Sequence, residues 1–314
     1  MSDTISVTIK LYSRHLAPQY APGFNPTIDE SSMSLPVLSD SWLADFLADD
    51  ARLGDLTTHI LGIGSQPALM TFVAREPLVL AGAEEAARII EMTGASVELH
   101  ESSGTVLAGG GAILTALGPA AALHRSWKVA QTLVEIASGM ATATRRIVDA
   151  AQAIRPDIAV TCTRKTVPGA KLLSIKAIMA GGATPHRLGL SETILVFEEH
   201  RCFLADTSPG QIVDRLRRGN PEKKIVIEVA TPAAAVLWAE AGADVIQAEK
   251  FSPAEIAATV GELRRAGFST LLAAAGGVKA ENAADYARAG ADIIVTSAPY
   301  AAKPLDVQVK LIPK

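Results

Sequence analysis

Apolar residues recur along this chain in two patterns, and one gives way to the other near residue 145. Residues 1 to about 32 hold no sustained period, and Pro18, Pro22 and Pro26 interrupt any helix, so 1–32 reads as an irregular, peripheral N-terminal extension with Met33 as a candidate initiator. From Asp40, SWLADFLADD has helical spacing with Ser39 or Asp40 as its cap. Strand-like runs follow at 69–74, 78–81, 96–99 and 113–116, around a helix AEEAARIIEMTG that Gly94 ends. These elements predict a small α/β domain over 33–145. A helical stretch beginning near Leu123 carries Trp127, Lys128, Gln131 and Glu135 toward Ser138-Gly139, the expected passage to a second domain over 146–314.

In that second domain short apolar runs alternate with helices, at 158–161, 194–197, 225–229, 245–247, 271–274 and 293–296. Such alternation predicts βα units and a parallel sheet. Ala-Gly-Ala-Asp stands just before a strand twice, in AGADVIQ at 241–247 and AGADIIVT at 289–296. A recurring αβ junction suits a barrel. A doubly wound open sheet is the alternative, although no G-x-G-x-x-G follows a first strand.

Composition narrows the class. Of 314 residues 49% are hydrophobic but only 4% aromatic, so the apolar content is mostly Ala, Leu, Ile and Val, which favours helices and buried parallel strands. Cys162 and Cys202 cannot build a disulfide scaffold, and no Cys/His cluster suggests zinc, so a reducing cytoplasm is the expected compartment. The uncharged run 104–123 is nearly long enough to span a bilayer, yet its five glycines and Pro119 make it turns and strands. No signal peptide or membrane anchor is visible. A net charge of −4 argues against nucleic-acid binding. Within 121–190, however, ten Lys/Arg face three acids, leaving the rest of the chain at −11. Either helices there expose basic faces, or an acidic protein holds a site for a small molecule with several negative charges.

Barrels bind ligands at the C-terminal ends of their strands, so the polar residues after each apolar run are the candidates. After the first comes 163–169, TRKTVPG, with Arg164 as a planar fork and Lys165 as a point charge; a lone pair of this kind is usually a solvated surface feature. The Gly-rich turn at 181–190 adds His186 and Arg187. Glu228 and Glu249 from neighbouring strand ends suit a sugar or a magnesium ion, or else form ordinary salt bridges. Gly276 and Gly277 precede a helix, and Thr296-Ser297 ends the last strand, an arrangement that lets backbone N–H groups approach a phosphate.

TRKT-x-PG, HRLGL, a strand-end EV and a late GG, in this order and with GDLTT at 54–58, resemble the quinolinate phosphoribosyltransferases from about Asp40 to Lys303. LHRSWKVAQ, KAIMAGGATPHRLGLSETILVF and AGGVKAENAADYA are similar to the ModD-like branch of that family, associated with molybdate-transport operons. The resemblance implies an α/β fold: an N-terminal open α/β sandwich domain plus a C-terminal incomplete (β/α) barrel, with the C-terminal tail returning to the first domain. It also implies a homodimer, or a higher oligomer, with shared active sites. By position, Arg164, Lys165, His186 and Arg187 match residues around an anionic substrate, and Lys128 falls where the family has an arginine reaching in from the partner chain. Glu228 and Glu249 match acids associated with the ribose and Mg²⁺ of phosphoribosyl pyrophosphate, and Gly276, Gly277 and Ser297 fall on phosphate-binding turns. Lys165, Glu228 and Glu249 are the residues expected to carry the chemistry.

The chain departs from the family at several of these motifs. KDNH becomes Phe197-Glu198-Glu199-His200, EVD becomes Glu228-Val229-Ala230, LDNF becomes Ala248-Glu249-Lys250-Phe251, and SSGG becomes Ala274-Ala275-Gly276-Gly277. An apolar ring cannot replace an ammonium against a carboxylate, so phosphoribosyl transfer is expected with altered acceptor specificity. Two other readings stay open: a non-catalytic oxyanion-binding or regulatory protein, and a Schiff-base aldolase using Lys250.

Overall fold

The Ser39 hydroxyl accepts the Trp42 N–H and starts α1 (Asp40–Ala51), which buries Leu43 and Leu47 one turn apart. Asp55 caps α2 (Leu56–Ile60) by accepting the Thr58 N–H. The computed structural model describes residues 34–314; the expectations for the extension and for Met33 lie outside the described residues. Next come β1 (Pro67–Ala74), β2 (Leu78–Val79), α3 (Ala83–Met92), β3 (Ser96–Leu99), β4 (Val106–Leu107) and β5 (Ala112–Pro119). The uncharged run thus supplies short strands and the start of a helix, and among the described residues no helix is long and apolar enough to cross a membrane.

That helix, α4 (Ala120–Gln152), is 33 residues long and runs straight through Ser138-Gly139, where the sequence suggested a passage. Gly139 serves packing here: a Cβ on it would lie 2.3 Å from the Lys303 carbonyl oxygen, so only glycine lets the returning chain cross this face of the helix.

The parallel half follows as β6 (Ala159–Cys162), α5 (Lys171–Ala180), β7 (Thr184–Pro185), β8 (Ile194–Val196), α6 (Glu198–Arg201), α7 (Pro209–Gly219), β9 (Ile225–Val229), α8 (Pro232–Glu240), β10 (Val245–Glu249), α9 (Pro253–Arg265), β11 (Leu271–Ala275), α10 (Ala280–Arg288) and β12 (Ile293–Thr296). A 3-10 turn, Ala298–Ala301, leads to β13 (Val307–Pro313). The seven-stranded sheet has the order β7-β6-β12-β11-β10-β9-β8. Its outer strands do not pair, yet the guanidinium of Arg187, just past β7, stands 5.9 Å from the ring centroid of Phe197, just past β8. The sheet is therefore curled into an incomplete barrel, and the open-sheet alternative does not hold. Both Ala-Gly-Ala-Asp junctions are explained at its base: Asp244 accepts the Ile225 N–H at 2.8 Å and Asp292 accepts the Leu272 N–H at 2.9 Å, each tying its strand to a neighbour.

A four-stranded antiparallel sheet, β13-β1-β5-β3, makes up the N-terminal layer, and its edge strand is the last of the chain. Phe72, Met70, Ile89, Leu114 and Leu133 lie in the core between this sheet and α3 and α4. Ile227, Ile246, Leu272 and Ile294 point outward from the barrel onto its helices and form a second core. Lys176 of α5 is buried with Glu85 of α3 at 2.7 Å and also reaches Glu84 at 2.9 Å, an ion pair across the two halves. Cys162 and Cys202 are both free; burial pushes the Cys162 thiol up to about 12.

Candidate active site at the barrel mouth

Strand side chains alternate, so the residues that fill the barrel lumen determine which ones stand at its mouth. Leu195, Val226, Val245, Ala273 and Val295 form an apolar plug inside the sheet. Two residues further along each strand, Phe197, Glu228, Gln247, Ala275 and Ser297 line a cavity of about 790 Å³. The loops after β6 and β7 contribute Arg164, Lys165, His186 and Arg187, the last residue of β10 is Glu249, and the loop after β11 contributes Gly276 and Gly277. Nine of the ten residues singled out in the sequence thus share one cavity. Lys128 does not: it lies exposed on α4, with its Nζ donating to Gln131 Oε1 at 2.9 Å and lying 4.8 Å from the Trp127 ring centroid.

The cationic wall is only part of the basic excess at 121–190. Lys176 is consumed by the buried pair with Glu85, and Arg155 by Asp157 and Asp292. Arg187, 6% exposed, forms no ion pair with a protein carboxylate among the described residues. Burial, and then the nearby Arg164 guanidinium, lowers its pKa. A desolvated guanidinium with open donors is poised for an anion. Burial, followed by the charge of Arg187, lowers the pKa of His186 from its ordinary 6.5 and favours the neutral ring. The loop holding Arg164 is anchored from β12: the Thr163 N–H donates to Thr296 O at 2.9 Å, and the Tyr300 hydroxyl donates to Thr163 O at 3.0 Å.

Glu199, Glu228, Gln247 and Glu249 face the cations across the cavity. Gln247 donates to Glu228 Oε2 at 2.6 Å, while its own Oε1 is buried without a donor. Burial raises the Glu228 pKa, and the charges of Glu249 and Glu199 push the same way against the Gln247 hydrogen bond. Crowded carboxylates suit a hard cation and sugar hydroxyls, while the Gln247 amide also lies within reach of the His186 ring. No group of three or more His, Cys, Asp or Glu side chains is placed to hold a metal among the described residues. Glu228 and Glu249 are hard oxygen donors of the kind Mg²⁺ takes, and such an ion would draw the rest of its shell from water and substrate oxygens.

Gln247 and Glu199 were not identified as site residues in the sequence, and Lys250, raised there only as a Schiff-base lysine, also lines the cavity. For Gln247 a signal was available: it lies two residues before Glu249 and so shares its face of the strand.

The C-terminal-domain model of the quinolinate phosphoribosyl transferase family matches residues 140–310, and its N-terminal-domain model matches 55–138. A relative from Rhodobacter capsulatus that carries the ModD pyrophosphorylase name is 45% identical over 255 residues, 81% of this chain and 98% of the relative. A relative from Methanothermobacter thermautotrophicus, named for a carboxylating nicotinate-nucleotide pyrophosphorylase, is 31% identical across 80% of this chain and 91% of its own. Among solved structures, NadC from Streptococcus pyogenes superposes with a TM-score of 0.80 at 24% identity, covering 89% of this chain and 99% of that one, a likeness of fold.

Proposed function

The chain belongs to the quinolinate phosphoribosyltransferase family, and on that premise we propose that it moves ribose 5-phosphate from phosphoribosyl pyrophosphate to a ring nitrogen of an anionic heteroaromatic acid. The observation that carries this reading is one cavity with cations on one wall, carboxylates on the other and a double-glycine turn between them. In the transfer the ring-nitrogen lone pair bonds to the anomeric carbon of ribose. The carbon–oxygen bond to pyrophosphate breaks, and its electron pair leaves with the oxygen. Such a step passes through an oxocarbenium-like state and needs positioning and charge neutralisation, with no protein nucleophile.

Arg164, Lys165 and Arg187 hold the acid group of the acceptor, and His186, neutral, borders the ring. Glu228 and Glu249 hold the ribose and Mg²⁺, which when bound neutralises charge on the pyrophosphate. Gly276, Gly277 and Ser297 receive a phosphate through backbone N–H groups and a hydroxyl. Phe197 covers one face of Arg187, so the pocket presents an apolar ring where a second carboxylate would need a cation. This favours an acceptor with fewer charges than quinolinate. Lys128 completes the site of a second copy in a homodimer, and the ModD-like resemblance connects the reaction to molybdate transport.

Calorimetric titration with phosphoribosyl pyrophosphate and Mg²⁺, with and without quinolinate, tests the reading. Magnesium-dependent donor binding is expected. Its absence, beside measurable binding of molybdate, would favour an oxyanion-binding protein instead.

A further inference from the structure

Lys250 is the one non-glycine residue with a positive φ, 60°, among the described residues. A lysine in this left-handed region is strained, and strain of this kind persists where the surroundings impose it. Here the Lys250 N–H donates to Ala275 O at 2.7 Å, which turns the chain off β10 directly beside the end of β11. The next residue on that side, Gly276, has φ 82°, and a Cβ on it would lie 2.8 Å from Lys250 Cγ. The lysine stem therefore lies across the glycine turn. Its side chain lines the cavity, and no protein carboxylate pairs with its amine among the described residues.

We propose that Lys250 binds a phosphate oxyanion of the donor over the Gly276-Gly277 turn; this rests on the phosphoribosyltransferase reading above. Its place in the sheet selects the donor. Lys250 leaves β10 and leans toward β11, whereas Arg164 and Arg187 follow β6 and β7, on the far side of β12. The N–H groups of Gly277 and Val278 donate to no backbone carbonyl among the described residues, so amide donors and an ammonium share one corner of the cavity. The same corner lies beside Glu249 and Glu228, whose charges repel a phosphate, and a cation here offsets them. A residue that favoured folding alone would be asparagine or glycine, which adopt this backbone more readily.

The test compares wild type with Lys250→Asn and Lys250→Gln. Asparagine suits the backbone, and glutamine keeps most of the length without the charge. Titrations use phosphoribosyl pyrophosphate with Mg²⁺, inorganic pyrophosphate, and quinolinate alone. Both variants are expected to keep the wild-type melting temperature and quinolinate response but to bind the donor about tenfold or more weakly, the loss of one charge-assisted contact. Equal donor affinity in wild type and variants overturns the assignment. So does a loss confined to quinolinate, which would place the amine on the acceptor. If wild type binds pyrophosphate but not the donor, the transferase reading fails while the Lys250 assignment is judged on pyrophosphate alone. If wild type binds neither, both are overturned.

Discussion

Arg187 and Phe197 meet at the seam of the barrel, where the two unpaired edge strands approach. A cation at 197 would repel Arg187 unless an anion lay between them, so the phenyl ring is compatible with a site that receives one acid group at a time. Phe197→Lys is therefore expected to tighten quinolinate binding by about tenfold, the scale of one charged contact; unchanged affinity in calorimetry would remove residue 197 from specificity. Glu228 gives a pH dependence with a defined sign. Its pKa is raised above the ordinary 4.5 in the folded protein, chiefly by burial. By itself this carboxyl favours folding only while protonated, a contribution present below 4.5 and lost as pH rises through the elevated folded value. On the proposed function, ionisation in that same window would create the cation site. Magnesium-dependent donor affinity should therefore climb as pH rises above 4.5, and Glu228→Gln should flatten the climb while stabilising the apoprotein on its alkaline side. Donor titrations and melting curves at several pH values check both effects.

At the scale of elements, α4 belongs to both halves of the molecule: its early turns pack in the N-terminal core and Ile147 and Val148 in the barrel core. Gly139→Ala would push a methyl into the Lys303 carbonyl, and a loss of about 1–3 kcal/mol is expected in urea unfolding; an unchanged midpoint would mean that the returning chain has room to move. Strands were legible because burial on both faces leaves continuous apolar runs, as in Ile225–Val229, which is the predicted run itself. The Ala-Gly-Ala-Asp repeat pointed to a barrel, and its aspartates act as staples between strands at the base. Thr184–Pro185 was missed because two residues carry no period. The continuity of α4 was missed because Gly139 looks like a stop signal, and its carbonyl neighbour comes from a residue 164 positions later. At the site, charged residues after apolar runs were found from position alone. Gln247, hidden inside a run as an apparent core residue, was not, and Lys250 was named only as a Schiff-base candidate because no composition reveals its backbone conformation.

At the scale of the whole molecule, Lys128 is exposed on α4 away from the cavity lining of its own chain, where only a second copy could bring it to a site. In a symmetric dimer with shared sites, mixing Lys128→Ala with Arg164→Ala protomers would regenerate intact sites, about a quarter of all sites at random pairing. Recovered activity after mixing, with a dimer mass in analytical ultracentrifugation, is expected; a monomer of full activity would end the shared-site proposal.

The sheet of the N-terminal half closes only when Val307–Pro313 pairs with Pro67–Ala74. Translation makes Pro67–Ala74 long before Val307–Pro313. The first half to emerge must therefore wait, with the β1 edge uncovered, until residues 307–313 leave the exit tunnel, and a nascent chain stalled before residue 307 should be a client for chaperones that guard exposed strand edges.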